Sequence, residues 1–213
     1  MTTVHTFTFN PFQENTFIIY DETNACVIID PGCHSAQEKE ELQTFIKKNE
    51  LIPKRLLNTH CHIDHVFGNK FIFDVFGLKP ELHKLDLPTL TGMTPMAAKM
   101  YGIPLEESPL PETFLIENEI IRFGNTELEI RFTPGHAPGH VVFINHKQRF
   151  VINGDVLFQG SIGRTDFPGC SFEQLINSIK TQLFVLEDDY VVYTGHGPST
   201  TIGFEKKHNP FLN

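Results

Sequence analysis

Val4 to Phe9 alternates, with Phe7 and Phe9 on one face, and predicts a strand. Thr16 to Tyr20 and Ala25 to Asp30 are denser apolar runs. The polar turn Asp21-Glu22-Thr23-Asn24 separates them, so they predict a hairpin. Asp30-Pro31-Gly32 ends the third strand. Ser35-x-x-Glu38 then reads as a capping box, and Leu42, Phe45 and Ile46 form the buried stripe of the helix it opens. Pro53 to Asn58 predicts another short strand. From Val66 to Phe76, apolar residues at 67, 71, 72, 75 and 76 make a helical stripe that Gly77 ends. A short strand follows near Glu81-Leu82-His83.

Residues 86 to 111 are less regular, with prolines at 88, 95, 104, 109 and 111. Thr94-Pro95 opens a short helix from Met96 to Tyr101, with Pro in its first turn. This segment is a candidate lid or substrate wall. Strand patterning resumes over 114 to 132: Gly124-Asn125 is a hairpin signal, and Thr126, Leu128, Ile130 and Phe132 alternate with charged residues. Strands follow at Val141 to Asn145 and Arg149 to Asn153. Ser171-x-x-Gln174 caps a helix with Leu175, Ile176, Ile179 and Leu183 as its stripe. Tyr190 to Thr194 is the last strand, before a short helix over about 201 to 208. Two blocks of strands, each followed by helices, predict an α+β protein with a sheet-on-sheet core and helices outside. With no repeat, linker or low-complexity tract, the 213 residues make one large domain or two small ones.

Composition narrows the function classes. Apolar residues make up 40% of the 213, ordinary for a globular chain. A formal charge of −9 argues against a nucleic-acid surface, which needs clustered Lys and Arg. The paired lysines, Lys47-Lys48 and Lys206-Lys207, fall at predicted helix ends, where they complement helix dipoles. Cys26, Cys33, Cys61 and Cys170 form no C-x-x-C pair and no disulfide-like spacing, so reduced thiols and a cytoplasmic location are expected. No Lys or Arg precedes Lys39, so no secretory leader is expected. No apolar run approaches the roughly 18–20 residues of a membrane span. The expected partner is a small molecule, with neither nucleic acid nor membrane.

The chemistry concentrates in Thr59-His60-Cys61-His62-Ile63-Asp64-His65. Three imidazoles and a carboxylate within six residues suit Zn, Fe, Mn or Ni better than Mg or Ca. On a helix His60 and His62 would point about 200° apart. An extended loop lets them converge, with Asp64 and His65 one step on and able to serve a second ion. The cluster is thus expected on a strand-to-helix loop. Cys61 sits between ligand candidates, and a thiolate ligand there is the lesser reading. Three later strands end alike: one runs through Pro134-Gly135 to His136, one through Gly154 to Asp155, and one through Gly195 to His196. Glycine permits the sharp turn that brings the next side chain over the strand ends. Each alone is a weak signal. Their coincidence with the first cluster gives a donor total that fits two metals.

His60, His62, Asp64 and His65, followed in order by His136, Asp155 and His196, match the H-x-H-x-D-H pattern of the metallo-β-lactamase superfamily, which the chain resembles from about Phe17 onward. The resemblance implies a single domain over residues 1–213, an αββα sandwich of two mixed β-sheets flanked by helices. It also implies two divalent metal ions, Zn before Fe or Mn. One takes His60, His62 and His136, the other Asp64, His65 and His196, and Asp155 bridges them. Asp64 and Asp155 are the carboxylates of that catalytic set. Gly160 to Phe167, Thr201 to Lys207 and Asn209-Pro210-Phe211 are similar to a short glyoxalase II-like subgroup, the hydroxyacylglutathione hydrolases. The implied activity is hydrolysis of a thioester such as S-lactoylglutathione by a metal-bound hydroxide.

Glyoxalase II carries basic glutathione contacts after its Asn-Pro-Phe segment, where this chain has only Leu212 and Asn213. No full C-terminal glutathione-binding helical domain is therefore expected. Pro198 stands where that family places a substrate-contacting tyrosine. Arg164 is the substrate-binding cation the resemblance implies, with Lys206 and Lys207 as substitutes. The rival enzyme is a mononuclear iron persulfide dioxygenase using His60, His136 and Asp155. A nuclease and a non-catalytic metal-binding module are further alternatives. Of the remaining histidines, His140 is read as structural or as a contact beside the site. Asp30 is either a turn residue or the orienter of a metal histidine.

Overall fold

Tight polar turns permit antiparallel neighbours, whereas parallel neighbours need a long crossover, and both occur here. The computed structural model describes residues 1–212; Asn213 lies outside the described residues. The chain forms two compact units, Met1–Leu115 with Arg122–Glu127, and Ile116–Ile121 with Leu128–Asn213.

In the first unit β1 (Thr3–Phe9), β2 (Glu14–Tyr20) and β3 (Ala25–Ile29) pair antiparallel. After α1 (Ala36–Lys48), β4 (Ile52–Leu57) joins β3 in parallel. Next come α2 (Ile63–Val66), α3 (Asn69–Phe76) and β5 (Pro80–His83), then α4 (Thr94–Tyr101) and β6 (Phe114–Leu115). β5 and β6 extend the sheet in parallel, giving the order β1-β2-β3-β4-β5-β6. All of β3 and six of the seven residues of β2 are buried. This is why they read as continuous apolar runs rather than alternating ones. α1 lays Leu42 and Ile46, and α3 lays Ile72, against Phe7, Phe9, Ile18, Cys26, Ile28 and Leu56.

The second sheet contains β7 (Ile120–Phe123), β8 (Thr126–Phe132), β9 (Val141–Asn145) and β10 (Phe150–Ile152). A small ribbon, β11 (Leu157–Phe158) with β12 (Ser161–Ile162), precedes α5 (Phe172–Ser178). β13 (Val191–Tyr193) then returns parallel to β10, and β14 (Thr200–Thr201) leads into α6 (Ile202–His208). The order is β14-β13-β10-β9-β8-β7. Leu175 of α5, with Ile179 and Leu183 of the helical turn after it, packs on Val142, Ile144, Val151 and Val192. Two mixed sheets flanked by helices are the fold class read from the sequence.

Several boundaries differ from the sequence reading. The helix expected over Val66 to Phe76 is two helices, and the first begins at Ile63, so Asp64 and His65 are helical rather than in a loop. The break falls at Gly68. Its N–H donates to Pro31 O at 2.6 Å, and a Cβ there would lie 2.5 Å from Cys33 Sγ, so the chain is pinned close against the end of the third strand. Helical structure before α4 begins at Lys84, with a tight turn over Lys84–Asp86 and a wide turn over Thr89–Met93, and Gly102 at φ 66° ends α4. The β11–β12 ribbon left no periodicity because its strands are two residues each.

The capping box has the reciprocal geometry expected of it. Ser35 Oγ accepts from Glu38 N at 3.2 Å, and Glu38 Oε2 accepts from Ser35 N at 2.8 Å and His34 N at 2.9 Å. Glu38 Oε1 also accepts from Asn10 N at 2.7 Å, so the cap ties the β1–β2 turn to α1. Burial alone would raise this carboxyl, but the N–H groups of Ser35, Asn10 and His34 together hold its pKa below the ordinary Glu value. A lowered folded-state pKa stabilises the fold above the unfolded pKa, and that contribution fades as pH falls through the folded value. Glu38→Ala is expected to cost about 1–2 kcal/mol of unfolding free energy at neutral pH. Denaturant melts should show the wild-type advantage shrinking below the ordinary Glu range; a constant advantage down to strongly acidic pH would contradict this account.

Candidate metal centre

β4 ends at Leu57, and the extended chain after it carries His60 and His62 before α2 begins. The His60 and His62 ring centroids lie 4.7 Å apart, and those of His60 and His65 4.1 Å apart. The extended stretch therefore brings the two alternate histidines together, and the first turn of α2 adds His65. Asp64 Oδ2 lies 3.7 Å from His65 Nε2.

Other residues of the first unit fix these rings. Asp30 Oδ1 accepts from Thr59 N at 2.7 Å and its Oδ2 from Thr59 Oγ1 at 2.5 Å. The same Oδ2 lies 3.1 Å from His65 Nδ1, and Thr59 Oγ1 lies 3.0 Å from His60 Nδ1. Both histidines are thus held by Nδ1, which leaves Nε2 as the nitrogen each could offer to a metal. Glu14 Oε1 lies 3.8 Å from His65 Nδ1, and burial pushes its carboxyl well above the usual range. Asn10 Nδ2 donates to Gly32 O at 3.0 Å and to Asp64 O at 3.1 Å, fixing the backbone of α2. Behind the motif, Cys61 N donates to Asp86 and Cys61 O accepts from Thr94 Oγ1. Burial and Asp86 hold the Cys61 thiol well above its ordinary pKa, which disfavours a thiolate ligand there.

The second unit carries a matching set. Asp155 Oδ2 lies 3.5 Å from His136 Nε2 and 3.5 Å from His196 Nε2. Donors on one tetrahedral ion with bonds of about 2.0–2.2 Å stand roughly 3.3–3.5 Å apart. One carboxylate oxygen therefore sits at coordination spacing from two imidazoles at once. His136 Nδ1 lies 2.8 Å from Arg164 O, so this ring too presents Nε2. Asp155 N donates to His140 Nε2 at 3.1 Å, which leaves His140 Nδ1 as the donor to Thr133 Oγ1 at 3.1 Å. His140 is fully buried and fixes the backbone of Asp155 rather than standing in the donor set.

The glycine pattern holds for two of three strand ends. Gly135 has φ 137°, and a Cβ there would lie 2.3 Å from Leu175 N, so α5 requires a glycine. Gly154 has φ 50°. Gly195 is not among the positive-φ glycines; its N–H donates to Gly154 O at 2.7 Å, so close strand contact rather than a left-handed turn places His196.

Glu14, Asn10, Asp86 and Glu205 escaped the sequence reading. Glu205 is fully buried and accepts from Gly160 N at 3.0 Å, Thr200 Oγ1 at 2.5 Å and Asn209 Nδ2 at 2.7 Å. Asn209 Nδ2 also donates to Ser161 O at 2.9 Å. The C-terminal segment thereby clamps the loop that delivers Arg164. Arg164 itself is tied by Nε and Nη2 to both oxygens of Asp166 at 2.7 Å, and lies 4.1 Å over the Phe167 ring. Lys206 Nζ is held by Leu186 O and Asp188, each at 2.9 Å. The other histidines lie in separate settings. His5 stacks on Phe45, His34 meets Pro104 O, His83 caps a turn, His146 meets Tyr190 and His208 packs on Phe204.

Comparison with known proteins gives a consistent family. Residues 9–196 match the metallo-beta-lactamase superfamily model. The hydroxyacylglutathione hydrolase GloC of Haemophilus influenzae is 42% identical over 203 residues, covering 95% of this chain and 94% of that one. The crystal structure of the BLEG-1 B3 metallo-beta-lactamase superposes with TM-score 0.88 at 34% identity, covering 99% of this chain and 100% of that chain. TTHA1623 in a di-iron-bound form superposes with TM-score 0.88 at 37% identity, covering 98% and 100%. No helix among the described residues is long and apolar enough to cross a membrane.

Gly163 offers a test of this architecture. A Cβ there would lie 1.9 Å from Asp155 O and 3.1 Å from His136 Nδ1. Gly163→Ala should displace the Asp155 backbone and the His136 ring and weaken metal binding at least about tenfold, as should His140→Ala through the Asp155 backbone. Metal affinity measured by competition with a chelator checks this; wild-type affinity in both variants would contradict it.

Proposed function

The chain belongs to the metallo-beta-lactamase superfamily, and we propose that within it the protein is a dinuclear metallohydrolase of the glyoxalase II type, cleaving a thioester such as S-lactoylglutathione. In this reading His60, His62 and His136 hold one ion, Asp64, His65 and His196 the other, and Asp155 serves both. The observation that carries it is Asp155 Oδ2, 3.5 Å from both His136 Nε2 and His196 Nε2. Imidazole and carboxylate donors suit Zn, Fe or Mn. The di-iron-bound form is that of TTHA1623, but it keeps iron as an option beside zinc here.

Two divalent ions at such a site supply a water acidic enough to attack near neutral pH and a Lewis acid for the carbonyl oxygen. The chain's own residues do the rest. Asp30 and Thr59 set the tautomers of His65 and His60, and Arg164 O sets that of His136. A thiolate departs readily, so no strong general acid is needed beside it. The glutathione hydrolase name of the Haemophilus influenzae relative supports the thioester class.

A mononuclear persulfide dioxygenase would need only His60, His136 and Asp155, leaving His62, Asp64, His65 and His196 without a role. BLEG-1, the similar B3 metallo-beta-lactamase, makes a β-lactam a useful control substrate. Metal-free protein reloaded with zinc or iron should hydrolyse a thioester faster than a β-lactam and consume no oxygen with a persulfide. Asp155→Ala should lower the content of both ions and reduce thioester turnover by about a thousandfold or more. Oxygen uptake matched to persulfide consumption, with no thioester cleavage, would overturn the proposal.

Glutathione should be held weakly, because the Asp166 carboxylate already occupies Arg164. Contacts made equally in ground and transition states set KM rather than kcat. For S-lactoylglutathione, Arg164→Ala should raise KM and Asp166→Asn should lower it, each by about twofold to fivefold, the scale of an exposed charged contact. Steady-state kinetics checks this; changes confined to kcat would contradict it.

A further inference from the structure

Glu205 is fully buried in α6, and its two oxygens face different loops of the second unit. Oε2 accepts from Gly160 N at 3.0 Å, in the turn of the β11–β12 ribbon, and from Asn209 Nδ2 at 2.7 Å. Asn209 Nδ2 also donates to Ser161 O at 2.9 Å, so the ribbon is gripped through both an N–H and a carbonyl. Oε1 accepts from Thr200 Oγ1 at 2.5 Å, where β14 closes the loop that carries His196. Thr194 Oγ1 draws that loop together by donating to Pro198 O at 3.1 Å. Burying a carboxylate is unfavourable unless its lone pairs are filled, and here three donors fill them. That compensation lasts only while both loops keep their places.

The two loops lead to the candidate donors. Only Ile162 and Gly163 separate Ser161 from Arg164, whose carbonyl accepts from His136 Nδ1 at 2.8 Å. Gly163 N donates to Val156 O at 3.2 Å, and a Cβ on Gly163 would lie 1.9 Å from Asp155 O. The returning strand of the ribbon therefore lies directly against the Asp155 backbone. Phe158, in the outgoing strand, stands edge-on to the His196 ring, with centroids 6.3 Å apart. One carboxylate thus ties together the ribbon that supports His136 and Asp155 and the loop that carries His196.

We infer that Glu205 is a positioning residue of the metal site, acting through Gly160, Asn209 and Thr200 to set the mutual spacing of His136, Asp155 and His196. This rests on the reading of those side chains as metal donors. Asp155 serves both ions in that reading, so releasing the two loops loosens both ions together. A staple that served the fold alone would lower the melting temperature and leave metal binding unchanged.

Three variants of the full chain, loaded with cobalt(II), test the inference. The visible absorption of cobalt(II) reports its ligand geometry, and chelator competition reports its affinity. Glu205→Met keeps the volume and removes the acceptor. Glu205→Gln keeps one oxygen for Gly160 and Asn209, while the Thr200 hydroxyl can turn to accept from the amide. Ile46→Ala opens the separate core cluster under α1 and serves as the control for lowered stability. Glu205→Met should weaken cobalt binding at both sites by at least about tenfold and shift the visible bands, as loss of a group that orients metal ligands does. Glu205→Gln should stay within about threefold of the wild type and keep its spectrum. Ile46→Ala should melt earlier and bind cobalt as the wild type does. Wild-type affinity and spectrum in Glu205→Met, or an equal loss in Ile46→Ala, would overturn the inference. So would a loss in Glu205→Gln as large as in Glu205→Met, because the acceptor oxygen would then not be what positions the loops.

Turnover separates this from the hydrolase reading. With a thioester substrate, Glu205→Met should lower kcat and leave KM near the wild-type value, and a change confined to KM would contradict the positioning role. A wild type that cleaves no thioester would overturn the hydrolase reading alone, and the cobalt measurements would still decide the role of Glu205.

Discussion

Burying carboxylates is the constraint on which the first unit depends. Glu14, Asp30 and Asp86 are fully buried, and Asp64 is nearly so. Each such group costs several kcal/mol unless hydrogen bonds or charge compensate it. Asp86 is satisfied by Cys61 N and Thr89 Oγ1, and Asp30 by Thr59 and His65. These bonds leave the segment from Thr59 to His65 little freedom. The backbone is held from behind at Cys61 and the rings from the side through Nδ1. Rigid presentation of Nε2 is what a metal site requires of its protein, because a loosely held donor set loses affinity to its own ordering entropy.

The second unit meets the same need by backbone means. Its donors stand at the ends of β8, β10 and β13, and main-chain groups do the positioning. Arg164 O holds His136, Asp155 N holds His140, and Gly195 N holds Gly154 O. Gly135 and Gly163 are required because neighbouring atoms fill the space a side chain would take. Glu205 extends the logic outward. A buried residue of α6, it gathers Gly160, Thr200 and Asn209, so this helix stabilises a loop lying about forty residues earlier in sequence.

Much of this was legible in the sequence. The strands before the metal-type motif showed themselves by period and turn chemistry, and the capping box at Ser35 by its spacing. The strand-to-donor endings at His136, Asp155 and His196 were legible because a short apolar run, a glycine and a ligand-type side chain fall in that order. What stayed hidden depends on distant partners. Asp30 looked as much like a turn residue as an orienter, since its target, His65, is 35 residues away. Glu14 opens a strand in the way many solvated glutamates do, and only the fold shows it buried. The start of α2 at Ile63 was missed because a single helical turn is too short to show a period. A cavity of about 470 Å³ beside α4 was visible only as irregularity, since its lining comes from residues scattered between 66 and 110.

The central claim is that Asp155 joins two metal ions in one hydrolytic site. Crystals of the zinc-loaded protein, with diffraction recorded on both sides of the zinc absorption edge, test this most directly. The account predicts two anomalous peaks per chain about 3.5–4 Å apart. One should be bonded by His60, His62 and His136, the other by Asp64, His65 and His196, with Asp155 contacting both. A single peak held by His60, His136 and Asp155, with Asp64, His65 and His196 turned away from it under saturating zinc, would contradict the account.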